Sequence, residues 1–405
     1  MKDRHGGRRV VLACCIAIFW PGAFIFAFPG VMASQWQQAF GVSRAATGQT
    51  LFFVLAAVGV FMFITGRWQE KVGPSILAAL GAVLCGASTI MVGHAGGMAW
   101  VYLWAFLMGI SSSLIYIPTL TVVQRWFPAR KGLVSGLVNL AFGFSAAVMS
   151  PVFSRMLASM SYEGMTLLLG LLASGFGLAA SCFVRFPESE KSDKLSVLRQ
   201  ALASQNSFSA RQSLRTRTFW LIWGSWAMAG AGGIAMVTLS TSYGLFKGLT
   251  LSEAVVILTA FNLTNGASRL LSGYLSDRTG RNRVMGASFL CGACAYWLMP
   301  HLEGLVLWAV LASVVGFAFG TLFAVSAPLV VDCFGLDHFG KIFGLIFTAY
   351  GFVAGALGPW LSGYVLDLSG GRFAWVFLYL GGFYLLSAIL ICFATPPKAR
   401  ACGGS

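Results

Sequence analysis

The sequence predicts an all-α membrane protein of twelve transmembrane helices, arranged as two pseudo-symmetric halves of six. Three observations carry that expectation. Of the 405 residues, 58% are hydrophobic and only 10% charged, where a soluble globular chain carries about a quarter charged residues. Apolar runs recur along the whole chain at the length of about 20 residues that one bilayer crossing requires. Motifs of the first half also return in the second at a fixed offset. The mean hydropathy of +0.80 agrees. Together these exclude a disordered chain, a coiled coil and most soluble enzymes.

The runs fall near 10–34, 46–65, 75–95, 99–123, 133–153, 165–185, 219–245, 253–275, 284–300, 304–331, 342–362 and 373–395. The first follows Arg8-Arg9 but is too long for a signal peptide and contains Pro21 and Pro29, so it reads as a span. The longest polar stretch, 186–217, separates an N-terminal half (1–185) from a C-terminal half (218–405) and reads as a cytoplasmic linker with a short amphipathic helix near 194–204. The nine cysteines lie mostly inside apolar runs, as Cys14, Cys15, Cys85 and Cys182 do, and read as small apolar residues rather than a disulfide framework. Cys291-x2-Cys294 has metal or redox spacing but sits in an apolar span without partners, so no metal and no cofactor is expected.

Positive charge sets the orientation. With the N-terminus cytoplasmic, that side collects 22 of the 27 Lys and Arg, while the outer side keeps Arg44, Arg155, Lys247 and Arg372. This is the positive-inside asymmetry of a multi-pass protein, here of a cell inner membrane with both termini cytoplasmic. It explains the net charge of +15 without a nucleic-acid partner.

The repeat is legible in the loops. Gly66-Arg-Trp-Gln-Glu70-Lys-Val-Gly73 follows the second span, and Gly273-Tyr-Leu-Ser-Asp277-Arg278-Thr-Gly280-Arg281 follows the eighth, 207 residues later. Ser150-Pro151 returns as Gly358-Pro359 at an offset of 208, and Gly132 as Gly340. A weaker copy, Gly363-x3-Asp367-x2-Gly370, follows the eleventh span, so each half also contains a three-span repeat. Parallel six-span halves built of three-span units resemble the internal symmetry of the major facilitators. The motif glycines permit a tight turn and close helix approach. The acids Glu70 and Asp277 suit a helix N-terminus or a basic residue of a neighbouring span, a latch for the cytoplasmic side.

Inside the membrane, one charge stands alone. All twelve acidic residues and all four histidines lie at span ends or in loops, which leaves Arg269 as the mid-span charge. A buried arginine is costly unless paired. The simplest partner is an anionic substrate, and a carboxylate fits the planar guanidinium fork. The alternative is snorkelling, or bonding to backbone carbonyls. Asn262, Asn265 and Arg269 share one helical face at i, i+3 and i+7, whereas the first-half counterparts are Val58 for Asn265 and Met62 for Arg269. The repeat is therefore kept in the loops and broken at this stripe. Tyr116 in the fourth span and Tyr350 in the eleventh are candidate donors to a carboxylate, each equally readable as an ordinary packed tyrosine. Phe26, Phe28 and Phe323 read as cavity lining more than as specific contacts.

These residues resemble the monocarboxylate porter family and the related bacterial oxalate–formate exchangers over nearly the whole chain. The resemblance rests on Ala27-Phe28-Pro29, Arg125-Trp-Phe-Pro-Ala-Arg-Lys-Gly-Leu-Val-Ser-Gly136, Asn262-Leu-Thr-Asn265-Gly-Ala-Ser-Arg269 and Leu357-Gly-Pro-Trp. It implies that Arg269 holds the substrate carboxylate and that Tyr116 matches the family's fourth-span aromatic. Three positions depart from the family. Gly30 stands where animal-type members have lysine, and Asn265 where they have aspartate, both implicated there in proton coupling. Tyr350 stands where the oxalate exchanger has its second basic residue, and a single cation favours a monoanion such as lactate or pyruvate over a dianion. The expectation is a monomeric carrier of a small monocarboxylate with a proton, by alternating access. The alternatives are a carboxylate exchanger or a non-transporting carboxylate sensor. No nucleophile–base pair points to an enzyme.

Overall fold

Apolar sequence of this length satisfies its backbone in lipid as helices or as a closed barrel, and the described residues are helical almost throughout. The computed structural model describes residues 2–127, 131–187, 208–335 and 338–397, leaving aside the side chains of residues 2–5, Glu70, 131–133, 339 and 340. The expected helix at 194–204 lies outside the described residues.

The twelve spans, in order, are as follows. The first is Lys2–Phe26 continued by Phe28–Phe40. The second to sixth are Arg44–Val72, Pro74–Gly93, Met98–Trp126, Lys131–Ser159 and Tyr162–Ser181. The seventh to tenth are Arg217–Phe246, Leu251–Thr279, Arg281–Leu298 and Leu305–Phe334. The eleventh runs from Phe339–Thr348 to Leu361–Leu368 through π-helical turns at Ala349–Ala354 and Ala356–Trp360, and the twelfth is Phe373–Cys392. Eleven are individually long and apolar enough to cross a membrane. The ninth is 18 residues long and opens on Arg281-Asn282-Arg283, which lowers its hydropathy. It still returns the chain from the Gly280 turn to the start of the tenth span.

Local chemistry sets the ends. Ser43, Ser161 and Thr250 cap the second, sixth and eighth spans by accepting from Ala46, Gly164 and Glu253 amides. Thr250 and Glu253 complete a reciprocal capping box. The loop motifs are more helical than the sequence suggests. Gly66–Val72 and Gly273–Thr279 are the final turns of the second and eighth spans, and each turn is made by the closing glycine alone. Gly73 (φ 95°, ψ 146°) and Gly280 (φ 100°, ψ 143°) share one conformation, a region essentially reserved for glycine. The opening glycines, Gly66 and Gly273, face open space, so close helix approach is not their role in this structure.

Where a soluble protein shows polar groups, this one shows Leu171, Phe176, Leu271 and Ile389. Apolar surface on this scale is a lipid-facing belt. The halves meet at two crossings related by the repeat. Gly59 of the second span sits on Gly351 of the eleventh, and Gly266 of the eighth sits on Gly143 of the fifth. Gly59 and Gly266 differ by 207 residues, and Gly143 and Gly351 by 208. At each crossing an added Cβ would stand about 3 Å from the facing backbone (2.9 Å at Gly351, 3.0 Å at Gly143), so only glycine lets these backbones approach so closely.

At the end opposite the Gly73 and Gly280 turns, the halves are latched. Asp367 Oδ1 accepts from the Arg44 amide (3.2 Å) and Oδ2 from the Ala45 amide (3.0 Å). An acid of the C-terminal half thus caps the N-terminus of the second span, where the helix dipole favours a negative charge. The weakest of the three motif copies makes this bond. In the second copy, Arg281 reaches Asp277, Ser276 Oγ (2.7 Å) and Asp332 Oδ2 (3.4 Å). The described ion pairs of that loop therefore join Asp277 to the first residue of the ninth span and that residue to the tenth, all within the C-terminal half. Arg278 lies over the Tyr274 ring at 4.4 Å, and the Glu70 side chain lies outside the described set.

Candidate functional site

The two Gly–Gly crossings bring six spans together at mid-depth, around a cavity of about 30 Å³. Its lining is organised by the repeat. Tyr116 of the fourth span faces its counterpart Phe323 of the tenth, and Phe142 of the fifth faces its counterpart Tyr350 of the eleventh. Phe26, Met62 and Phe347 are among the residues that line the rest of it. Met62 is the repeat equivalent of Arg269, so the two halves supply the same positions with different chemistry.

Arg269 is 4% exposed and is the one charged side chain among the buried described residues. Its guanidinium lies over Phe323 (4.7 Å) and Phe142 (5.6 Å), one ring from each half. Such stacking stabilises a desolvated cation but satisfies none of its N–H groups. Nη1 donates to Asn139 Oδ1 at 3.4 Å, while Nε and Nη2 are buried without a partner among the described residues. A guanidinium with free donors inside a low-dielectric site is a strong demand for an anion.

Tyr116 donates its hydroxyl to Asn139 Oδ1 at 2.6 Å. The Tyr350 hydroxyl is buried and without a partner among the described residues. The π-helical turns that carry Tyr350 shift the register of the eleventh span at this depth, a local widening common at functional sites. Asn262 donates to the Phe26 carbonyl at 3.1 Å, where Pro29 breaks the first span, and its Oδ1 has no partner among the described residues. Both amide atoms of Asn265 are likewise unpartnered. The polar stripe is thus buried rather than open to the cavity. It presents a column of unsatisfied groups leading to Arg269.

One expectation changes, and one departure from the family gains a reason. Phe28 does not line the cavity; it packs against Phe24, Trp36, Trp104 and Phe153 in the N-terminal half, because the break at Ala27 turns successive residues of this motif to different sides. Gly30 has no room for a side chain: a Cβ would lie 2.1 Å from the Val237 carbonyl oxygen, and Thr241 Oγ1 donates to the Gly30 carbonyl at 2.5 Å. Sequence reasoning missed Asn139 and Phe142. The signal for Asn139 was present, since Ser135 and Asn139 form an i, i+4 polar pair in an apolar span, the pattern that singled out Asn265 and Arg269.

A lipid-belted bundle of two related halves, with a buried cation behind the rings that line a central cavity, is the architecture of a membrane transporter. The chain belongs to the Major Facilitator Superfamily, whose sequence profile matches residues 14–258 and 247–403. It is 25% identical to the oxalate:formate antiporter of Oxalobacter formigenes over 286 residues, 70% of this chain and 67% of that one. It is 26% identical to human monocarboxylate transporter 11 over 363 residues, 86% of this chain and 73% of that one. Among solved structures, the inward-facing, unoccupied bacterial homologue of the human lysosomal transporter Spinster superposes with a TM-score of 0.72 at 13% identity, covering 98% of this chain and 99% of that one, a likeness of fold.

Proposed function

We propose that this protein carries a small monocarboxylate of the lactate or pyruvate type, together with a proton, by alternating access, with Arg269 as the anion anchor. The observation that carries the reading is the buried guanidinium with two donor groups unpartnered among the described residues, held between Phe142 and Phe323, rings that line the cavity. The relatives named for oxalate, formate and monocarboxylate transport support the substrate class. One carboxylate neutralises one guanidinium, and a neutral loaded carrier passes through the occluded state with little electrostatic cost. Tyr116, Tyr350 and Asn265 supply the further hydrogen bonds, Asn262 holds the break of the first span, and Phe26 and Phe323 shape the apolar part. The basic end, with both termini, faces the cytoplasm. The cavity as it stands, about 30 Å³, has room for about two waters at the ~10–15 Å³ that each needs, so it must widen to admit a carboxylate.

A specific observation favours the second reading, obligate anion exchange. Among the described residues no acid or histidine is buried with Arg269 to take up a proton. In the symport reading the proton therefore moves by a route that leaves the Arg269–carboxylate pair ionised, through water or the Tyr116 and Tyr350 hydroxyls.

The test is uptake of labelled L-lactate into proteoliposomes, with and without an imposed inward proton gradient, by wild type and Arg269→Ala. Symport on this anchor gives gradient-driven accumulation that Arg269→Ala abolishes, a loss of about 100-fold or more for a bidentate charge-assisted pair. Stimulation by internal carboxylate with no response to the gradient replaces symport by exchange. Undiminished uptake in Arg269→Ala returns the arginine to a structural role.

A further inference from the structure

Resting on the reading of Arg269 as the anion anchor, we propose that Asn139 is the empty carrier's internal stand-in for the substrate carboxylate. Its amide oxygen holds the donors that the anion takes over, and it thereby sets the balance between net transport and exchange.

The geometry is that of one carboxylate oxygen. Asn139 Oδ1 accepts from two donors at once: the Tyr116 hydroxyl at 2.6 Å and Arg269 Nη1 at 3.4 Å. Its other end is fixed, because Nδ2 donates to the Ser135 carbonyl at 3.0 Å, one helical turn back. With the NH₂ committed there, the oxygen faces the guanidinium. Tyr116 and Asn139 belong to the N-terminal half and Arg269 to the C-terminal half, so the bond ties the two moving bodies. It is also a loose bond, at the long end for N–H···O, where a charge-assisted contact to an ionised carboxylate would be about 2.7–2.9 Å. An arriving anion exchanges oxygen for oxygen: Nη1 and the Tyr116 hydroxyl pass to the carboxylate, and Nε and Nη2 gain the acceptors they lack.

The amide supplies an acceptor but no charge, and that has a consequence for the cycle. When the empty carrier reorients, Asn139 keeps one guanidinium donor from being orphaned, yet it competes weakly with the substrate. Alanine at this position removes the acceptor and slows the empty return. Aspartate supplies a permanent counter-charge, which frees the empty return and makes lactate displace a tethered carboxylate.

The experiment compares zero-trans net efflux with counterflow exchange of labelled L-lactate in proteoliposomes, with the membrane potential held at zero by valinomycin and equal potassium. The ratio of net flux to exchange cancels the amount of active protein. Asn139→Ala is expected to lower that ratio by about tenfold, the worth of one hydrogen bond to a charged group. Asn139→Asp is expected to raise the ratio and to weaken half-saturation by about tenfold or more. Asn139→Ser, whose hydroxyl is too short to reach, stands in for alanine if that variant does not fold. If both fluxes fall together at a wild-type ratio, or if Ala and Asp shift the ratio in the same direction, Asn139 is only structural and the inference is overturned. Absence of lactate flux in wild type, in both modes, overturns the functional reading and this inference with it.

Discussion

Around Arg269 the fold leaves hydrogen bonds unmade, and that is costly for stability. Buried polar atoms without partners among the described residues, here on Arg269, Asn265, Asn262 and Tyr350, each carry a penalty of about 1–3 kcal/mol. Sites that bind a ligand commonly trade stability for function in this way. Tyr350→Phe therefore separates the two roles. The variant is expected to be more stable by about 1 kcal/mol, seen as a higher melting temperature in detergent, while its half-saturation for lactate uptake rises several-fold. A lower melting temperature would show that the hydroxyl is satisfied in the empty protein. Arg269→Lys keeps the charge but loses the planar fork. It is expected to retain uptake with affinity weakened by about tenfold or more, a measurement that distinguishes a bidentate grip from simple charge attraction. The sequence made Arg269 visible because a lone mid-span charge is conspicuous. It could not reveal Asn139 as a partner, because their hydrogen bond joins residues 130 positions apart.

At the scale of the element, the loop motifs divide into parts with different jobs. The sequence located all three copies, yet the acid that bridges the halves is Asp367, in the copy with the poorest match, and the better-matched Asp277 pairs locally with Arg281. Sequence similarity reports the turn, while the bond depends on which helix end the tertiary arrangement places opposite. Asp367→Ala is expected to loosen the closed end by the value of a charged cap, about 1 kcal/mol. A cysteine at Thr47, one turn inside the second span, should then react several-fold faster with a membrane-impermeant maleimide; an unchanged rate would mean that the Asp367 bonds do not hold this end shut. Gly280→Ala forces a Cβ into a conformation with φ near 100°. It is expected to lower thermal stability by about 1–3 kcal/mol, whereas Gly273→Ala, in open space, should be neutral or slightly stabilising.

Over the whole molecule, the two Gly–Gly crossings lie at equivalent places in the repeat and flank the cavity, as fixed points of a rocking motion would. Helices in contact through glycine can pivot with little side-chain rearrangement. A cysteine pair replacing Arg44 and Asp367 should fix the end opposite the Gly280 turn in its closed position. Oxidation is expected to abolish lactate uptake and dithiothreitol to restore it. Uptake that survives cross-linking would place the alternation elsewhere. The fold itself was largely legible in the sequence. The number of spans, the two halves and their offset follow from hydropathy and repetition, because lipid removes every backbone solution but helix and closed barrel. The boundaries were less so: Gly66–Val72 reads as loop because it is polar, and it is helix because its backbone bonds run on to the Gly73 turn. The π-helical widening at Tyr350 left no mark in composition.

Taken alone, the sequence determined a twelve-span membrane protein with a repeated half, a positive side and a single charge at mid-depth. Each of these is a one-dimensional property, written in hydropathy, spacing and the placement of lysine and arginine. Only the tertiary structure decided how that charge is held: between Phe142 and Phe323, against Asn139, with two donor groups free. It also decided that Gly30 admits no side chain and that Asp367 closes one end. The physical reason is the same in each case. Hydrogen bonds, ring contacts and helix caps are short-range, and the residues that make them here come from opposite halves of the chain. Which side chains meet is set by the crossing of spans and not by their order.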